Sequence, residues 1–300
     1  MRLSFALLIA FAPSVAFGQT DAKQATIKWV LAQEVPTGGF LVAAQPPTVD
    51  AAPQPSLRAT SAAVRTLKYL GAEIPNKDKH AAFVLNCFDP KTGGFAEPGG
   101  KPDVTITSVG VMAAVELAIP KEKYAKAMDY LKENAKTFED VRIGAAAVEA
   151  WGVKDCPFDL KPWLLIAQIH AKDIWPSLAP RDGGGRDVGS LIAMSMRLTG
   201  RMVEKNWDDQ IRPALIDGQL ADGGWNKKGE KASDIETTYR VMRAFMLLKE
   251  KPKDRNALRK FIEQHRNKDG GYATKPGDKS NMGGTYYATI ITKWLDAMEK

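Results

Sequence analysis

Beyond its first twenty residues the chain has no long apolar run, and no later segment approaches the roughly eighteen consecutive apolar residues that a membrane-spanning helix requires. A transmembrane segment is therefore excluded. Cysteine and histidine are scarce, with two and three residues. Neither Cys87 nor Cys156 has an Asp two residues before it, and His80, His170 and His265 fall in three separate helix patterns. They cannot converge as thiolate and imidazole ligands, so no metal and no other cofactor is expected. Charge of one sign is nowhere concentrated. Lys and Arg number 42 against 35 Asp and Glu, a net charge of +7, yet the densest stretches, "NKKGEK" and "KEKPKDR", are ordinary solvated patches. Nucleic acid as a partner would require a basic stripe, aromatic platforms or a recognisable module, and the sequence has none.

What is present begins with "MRLSFALLIAFAPSVAFGQT". One Arg, an apolar run and the small-x-small triplet Ala16-Phe17-Gly18 form the pattern of a cleavable secretory signal over residues 1–18. No Cys follows the triplet, as a lipoprotein signal would need. The expectation is an exported protein, periplasmic or secreted, whose mature part is a single domain over residues 19–300. With 44% hydrophobic residues the chain can bury a substantial core.

The organising feature is an internal repeat. Gly-Gly-aromatic recurs at Gly38-Gly39-Phe40, Gly93-Gly94-Phe95, Gly223-Gly224-Trp225 and Gly270-Gly271-Tyr272, with a degenerate copy at Gly183-Gly184-Gly185-Arg186. Downstream lie six helix starts that align without gaps: "SLRATSAAV" from Ser56, "DVTITSVGV" from Asp103, "DVRIGAAAV" from Asp140, "RDVGSLIAM" from Arg186, "DIETTYRVM" from Asp234 and "NMGGTYYAT" from Asn281. Their spacings are 47, 37, 46, 48 and 47. Five begin with Ser, Asp or Asn, which predicts N-caps that satisfy the free amides of the first turn. Four residues on stand Thr60, Thr107, Gly144, Ser190, Thr238 and Thr285, small or hydroxyl residues that let neighbouring helices approach. Before each turn runs another helix pattern, from "DAKQATIKWVLAQ" to "RNALRKFIEQH". A helix pair cannot bury its apolar stripe alone, and the last helix is about as apolar as the internal ones, so the pairs close on themselves. The predicted fold is all-α, an (α/α)6 toroid of six inner helices within six outer ones.

The stretches "FVLNCFDPKTGGFAEPGGKPDVTITSVGVMAAVELA" and "FIEQHRNKDGGYATKPGDKSNMGGTYYATIITKWL" resemble repeats of the prenyltransferase and squalene cyclase superfamily, and the resemblance runs over nearly the whole mature chain. It implies a toroid scaffold shared by proteins of several chemistries. The zinc site of the protein prenyltransferases, an Asp-x-Cys pair with a distant His, is missing. Triterpene cyclases of the resembling type protonate an alkene with the middle acid of Asp-x-Asp-Asp. Here the stretch is Asp234-Ile235-Glu236-Thr237, so Glu236 takes the donor's place but the last acid is Thr. A plain helix start explains both acids, Asp234 as cap and Glu236 against the positive helix end.

The resulting expectation is a non-catalytic toroid whose cavity binds an apolar or isoprenoid-like small molecule, or a protein segment. The alternatives are a lipid enzyme of prenyltransferase or cyclase type and a secreted polysaccharide lyase. Asp234 and Glu236 are the weak catalytic candidates. Arg58, Asp103, Asp140, Arg142 and Arg186 belong at the mouth, and Tyr239, Tyr286 and Tyr287 on the cavity wall. The proline-rich "LVAAQPPTVDAAPQPS" should be an extended loop near that mouth. Cys87 lies before a glycine turn and Cys156 after an inner helix, which puts them at opposite ends of the ring, too far apart for a disulfide.

Overall fold

The computed structural model describes residues 15–44, 54–174, 184–201 and 208–299. These residues form twelve α-helices and no strand beyond isolated bridges at the turns. Six of them are outer helices: α1 (Val15–Leu31), α3 (Lys77–Asn86), α5 (Lys126–Asn134), α7 (Lys161–Ile174), α9 (Asp208–Asp217) and α11 (Arg255–Gln264). Each hands over to an inner helix, in turn α2 (Leu57–Tyr69), α4 (Val104–Glu116), α6 (Phe138–Trp151), α8 (Gly184–Thr199), α10 (Ile235–Leu248) and α12 (Met282–Glu299). The inner helices touch in the cycle α2, α4, α6, α8, α10, α12 and back to α2, so the ring is closed. Of the expected leader, only its last few residues are described, as the start of α1.

Why the chain closes is visible at the glycine turns. The first glycine of each pair has positive φ, and a Cβ there would overlap the backbone of the next outer helix: Lys79 for Gly38, Lys126 for Gly93, Ala257 for Gly223 and, across the ring closure, Ala25 for Gly270. Glycine lets two repeats meet backbone to backbone at this seam. The same closure is held by hydrogen bonds from Thr26 Oγ1 to the Gly270 carbonyl (2.9 Å) and from Trp29 Nε1 to Asp269 (3.1 Å).

The aromatic after each glycine pair turns inward. Phe40, Phe95 and Trp225 are fully buried, and burial of each phenylalanine contributes about 1.5–3 kcal/mol. Their backbone amides cannot reach water, and each donates to a threonine hydroxyl in the first turn of the following inner helix: Phe40 to Thr60 (2.9 Å), Phe95 to Thr107, Trp225 to Thr238 and Tyr272 to Thr285 (3.0 Å each). These threonines thus serve as acceptors rather than as merely small residues. Gly144 stands in the copy that lacks the glycine turn, and the ring of Trp163 fills the space a Cβ would need. Thr238→Val should cost about 1–3 kcal/mol, because it leaves the buried Trp225 amide without a partner. Chemical denaturation checks this, and a change below about 0.5 kcal/mol would contradict the role given to the hydroxyl.

Caps form as expected at Ser56, Asp103 and Asp234, and the Asn281 side chain accepts from the Gly284 amide. Asp140 is the exception. The N-cap of α6 is Thr137, and Asp140 lies in the first turn, where its carboxylate accepts from the Thr137 amide (3.0 Å) and hydroxyl (2.7 Å) in a capping box. The alignment placed the repeat correctly but the helix begins one turn earlier, because Thr137 can cap and Asp140 can reach back.

The histidines are structural and separate. His80 accepts from the Gly39 amide (2.9 Å), His170 stacks on Phe138 at 3.7 Å, and His265 Nδ1 lies 2.9 Å from the Phe261 carbonyl. Burial lowers the pKa of all three. Both cysteines are free, and burial raises the Cys87 thiol to about 12.

The central cavity as candidate functional site

The ring encloses a cavity of about 300 Å3 to which every inner helix contributes. It reaches the end of the ring where the inner helices begin, since the first-turn residues Arg58, Thr105, Glu236 and Gly283 line it, with Arg142 at the start of the second turn of α6. One side is apolar: Ala59, Ala62, Val109, Met112, Ile143, Ala146 and Ala193. The rest is Tyr239, Tyr286, Tyr287 and a set of arginines from α2, α6, α8 and α10.

The arginines form two tiers, and helix geometry explains why. Residues seven apart lie two turns apart on one helix face, about 10 Å along the axis. Arg58 and Arg65 on α2 are so related, and so are Glu236 and Arg243 on α10. The upper tier is at the mouth. Arg240 holds Glu236 at 2.7 Å and Glu139 at 3.3 Å, Arg142 holds Glu139 at 3.0 Å, and Arg186 lies 3.6 Å from Glu236. Burial would raise the Glu139 carboxyl, but the two guanidiniums outweigh it and hold it below the usual carboxylate range.

The lower tier is Arg65, Arg197 and Arg243. Arg197 pairs with Glu149 at 2.9 Å; burial, with Arg243 nearby, lowers its pKa to about 10. Arg65 reaches Glu116 at 3.9 Å and donates to the Tyr69 hydroxyl at 3.2 Å. Arg243 donates to the Tyr239 hydroxyl at 2.9 Å and lies over the rings of Tyr239 and Trp294 at 5.2 and 4.8 Å. Burial alone would raise the Tyr239 phenol. Arg243, Arg65 and Arg197 overcome it and bring the pKa down to about 7. Tyr286, 3.4 Å away, moves the other way, raised by burial.

Of the residues expected at the cavity, Arg58, Arg142, Tyr239, Tyr286 and Tyr287 lie on its wall. Asp103, Asp140 and Arg186 do not. Asp103 accepts from the Ile106 amide as a cap, Asp140 is spent in its capping box, and Arg186 faces Glu236 from the rim. Asp234 is likewise a cap, accepting from the Thr237 amide at 2.8 Å with Lys227 at 3.3 Å. Glu236 does face the cavity, as a partner of arginines. The lower arginines were missed from sequence, though a signal existed: "SAAVRTL", "AMSMRLT" and "VMRAFM" each set one Arg inside the apolar stretch of an inner helix, where burial is costly unless the charge has a task. At the mouth, Val42 lines the cavity and its carbonyl accepts from the Met282 amide at 2.7 Å; the middle of the proline-rich segment, residues 45–53, lies outside the described residues.

A closed ring of six helix pairs around a ligand-sized cavity defines an α/α toroid. More particularly, the chain belongs to the prenyltransferase alpha-alpha toroid domain family, whose model matches residues 5–141 and 190–300. Compared by sequence with curated proteins, it matches none. Several solved structures share its fold. A protein from Actinoplanes superposes with a TM-score of 0.59 at 11% identity, covering 94% of this chain and 100% of that one. A glycosidase variant gives 0.57 at 12% identity, covering 96% and 99%. A variant of the type II terpene cyclase MstE from Scytonema, in complex with its substrate geranylgeranyl dihydroxybenzoate, gives 0.52 at 11% identity, covering 93% and 97%. At these identities the likeness concerns the fold alone.

Among the described residues no helix is long and apolar enough to cross a membrane, and no three His, Cys, Asp or Glu side chains are grouped to hold a metal ion.

Proposed function

We propose that the chain is an exported, non-catalytic toroid that holds a partly apolar small molecule in its central cavity. The observation that carries this reading is the cavity's mixed wall, in which Ala59, Ala62, Val109, Met112, Ile143 and Ala146 give an apolar surface in the same space as the arginines and the tyrosines of α10 and α12. A volume of about 300 Å3 sits at the small end of small-molecule sites and is too small for a folded partner segment. A terpene cyclase of the same fold takes an isoprenoid that carries a polar benzoate, a ligand of the same mixed kind.

Catalysis of the cyclase type has little support. The donor of the Asp-x-Asp-Asp pattern has acids on both sides, whereas Glu236 is engaged in ion pairs with Arg240 and Arg186 and is followed by Thr237. Asp234 is occupied as a helix cap. One observation favours the polysaccharide lyase as a second reading: the Tyr239 phenol, held low by arginines, is a basic group at neutral pH.

The experiment is extraction of the purified mature chain for mass spectrometry, with assays on squalene, isoprenoid diphosphates and acidic polysaccharides. A copurifying amphiphile without turnover is expected. Turnover of an isoprenoid that Glu236→Gln abolishes would replace this reading with the cyclase, and an unsaturated-sugar absorbance would replace it with the lyase.

A further inference from the structure

The two tiers of arginine differ in how their charge is balanced. At the mouth, Glu139 and Glu236 are gripped between Arg142, Arg186 and Arg240 at 2.7 to 3.6 Å. On the floor, three guanidiniums face two carboxylates, and one of these, Glu116, is 3.9 Å from Arg65 and shared with Lys68. Arg243 is 7% exposed and pairs with no carboxylate among the described residues. Its Nε and the Nε of Arg65 are buried without a hydrogen-bond partner. An unpaired buried guanidinium is costly, and orphaned donors converging on a cavity mark the place where an acceptor belongs.

We propose that this floor is a binding site for the single carboxylate of an amphiphilic molecule, received by Arg243 together with Arg65 and Arg197, the ligand's apolar part lying along Ala62, Val109, Met112 and Ala146. This rests on the reading of the cavity as a ligand site and adds the class of ligand and its orientation. The charge count sets the class. With Lys68, three guanidiniums and one ammonium stand against Glu116 and Glu149, but Lys68 is mostly exposed and screened by water. The buried excess is thus one positive charge, which one carboxylate neutralises, and a planar guanidinium fork matches a planar carboxylate. A dianionic head would bring a second negative charge against Glu116, Glu149 and the Tyr239 oxygen. The apolar side of the cavity excludes a small, fully hydrated anion as the preferred occupant.

The site has an internal substitute for the ligand. The Tyr239 oxygen is the acceptor nearest Arg243, and as phenolate it supplies the missing negative charge. Facing it are Arg243 from α10, Arg65 and Tyr69 from α2, Arg197 from α8 with Glu149 and Arg142 from α6 behind, Glu116 from α4, and Tyr286, Tyr287 and Trp294 from α12. A bound carboxylate competes with the phenolate for the same guanidiniums, so Tyr239 takes up a proton as the ligand enters. Linkage fixes the sign. The complex holds more protons than the free chain above pH about 7, so affinity falls as pH rises through that range, by up to about tenfold per pH unit.

The test is calorimetric titration of the mature chain with decanoate, decanol and decyl phosphate, at pH about 6.5 and about 9, well above the ordinary carboxylate range so that decanoate is ionised throughout. Decanoate should bind one per chain, at least about tenfold tighter than decanol at the lower pH, and more weakly at the higher. Tyr239→Phe should bind decanoate with no such pH dependence, a readout that a merely structural tyrosine would not move, and Arg197→Gln should weaken it about tenfold or more. Decanol binding as well as decanoate would overturn the anion site while leaving the cavity reading standing. Tighter binding of decyl phosphate would overturn the single-charge argument. Failure of all three probes would overturn the site and the cavity reading together. Because the probes themselves differ in charge, the comparison decides the matter even if a variant fails to fold.

Discussion

Gly223→Ala is expected to destabilise the chain by more than about 3 kcal/mol, enough to leave much of it unfolded near physiological temperature. Two costs add. Gly223 has φ +98, a conformation that costs an L-residue about 1–2 kcal/mol. The new Cβ would also lie 2.2 Å from Ala257 C and Leu258 N, backbone atoms of α11 that can move only if the whole outer helix moves. Gly229 provides the control. Its φ is +80, but nothing lies within 4 Å of a Cβ there, so Gly229→Ala should cost only the strain, about 1 kcal/mol. Urea unfolding of the two variants beside the wild type separates the terms. Equal costs at the two positions would show that the seam yields, and that close backbone approach is not what the glycine provides.

The same seam explains how much could be read in advance. The glycine-aromatic turn and the threonine four residues into the inner helix are linked by one hydrogen bond, repeated four times, so both halves of the bond recur in the sequence, 12 or 13 residues apart in three copies and 20 in the first. That made the repeat, the helix order and the closed ring legible. The site was legible only in part. Arg58, Arg142 and the tyrosines stand near helix starts or in aromatic pairs and attract notice. Arg65, Arg197 and Arg243 stand deep in apolar helices, at positions that vary among the repeats, and their meaning comes from three helices converging, which no single stretch of sequence contains. Asp140 shows the reverse case: an acid at an aligned helix start looks like a cap until Thr137, one turn earlier, is seen to cap instead.

Arg243→Met should raise the Tyr239 pKa by more than about one pH unit while leaving the fold at least as stable. Arg243 is the strongest of the charges that draw Tyr239 down against the opposing effect of burial, and its Nη2 is 2.9 Å from the phenol oxygen. Without it the phenol loses its nearest cation and its donor, and burial again dominates. The stability follows from the same geometry. Arg243 is buried, which disfavours its charge, and lies beside Arg65, which opposes it; Tyr239 and Tyr286 are the groups that favour the charge and hold its pKa above the usual value, and it has no carboxylate of its own among the described residues. Replacing such a charge by an apolar side chain of similar length is commonly neutral or stabilising by about 1–4 kcal/mol, whereas the methionine can still pack against Tyr239 and Trp294. Ultraviolet titration of phenolate absorbance, with thermal unfolding at neutral pH, measures both. A Tyr239 that still ionises near neutrality in the variant would show that Arg65 and Arg197 suffice. A marked loss of stability would show that Arg243 holds the fold, and with it that the floor's charge is structural. A raised phenol pKa in a stable chain that no longer binds decanoate would separate the two, leaving Arg243 as a residue kept for its ligand at a cost to the stability of the ring.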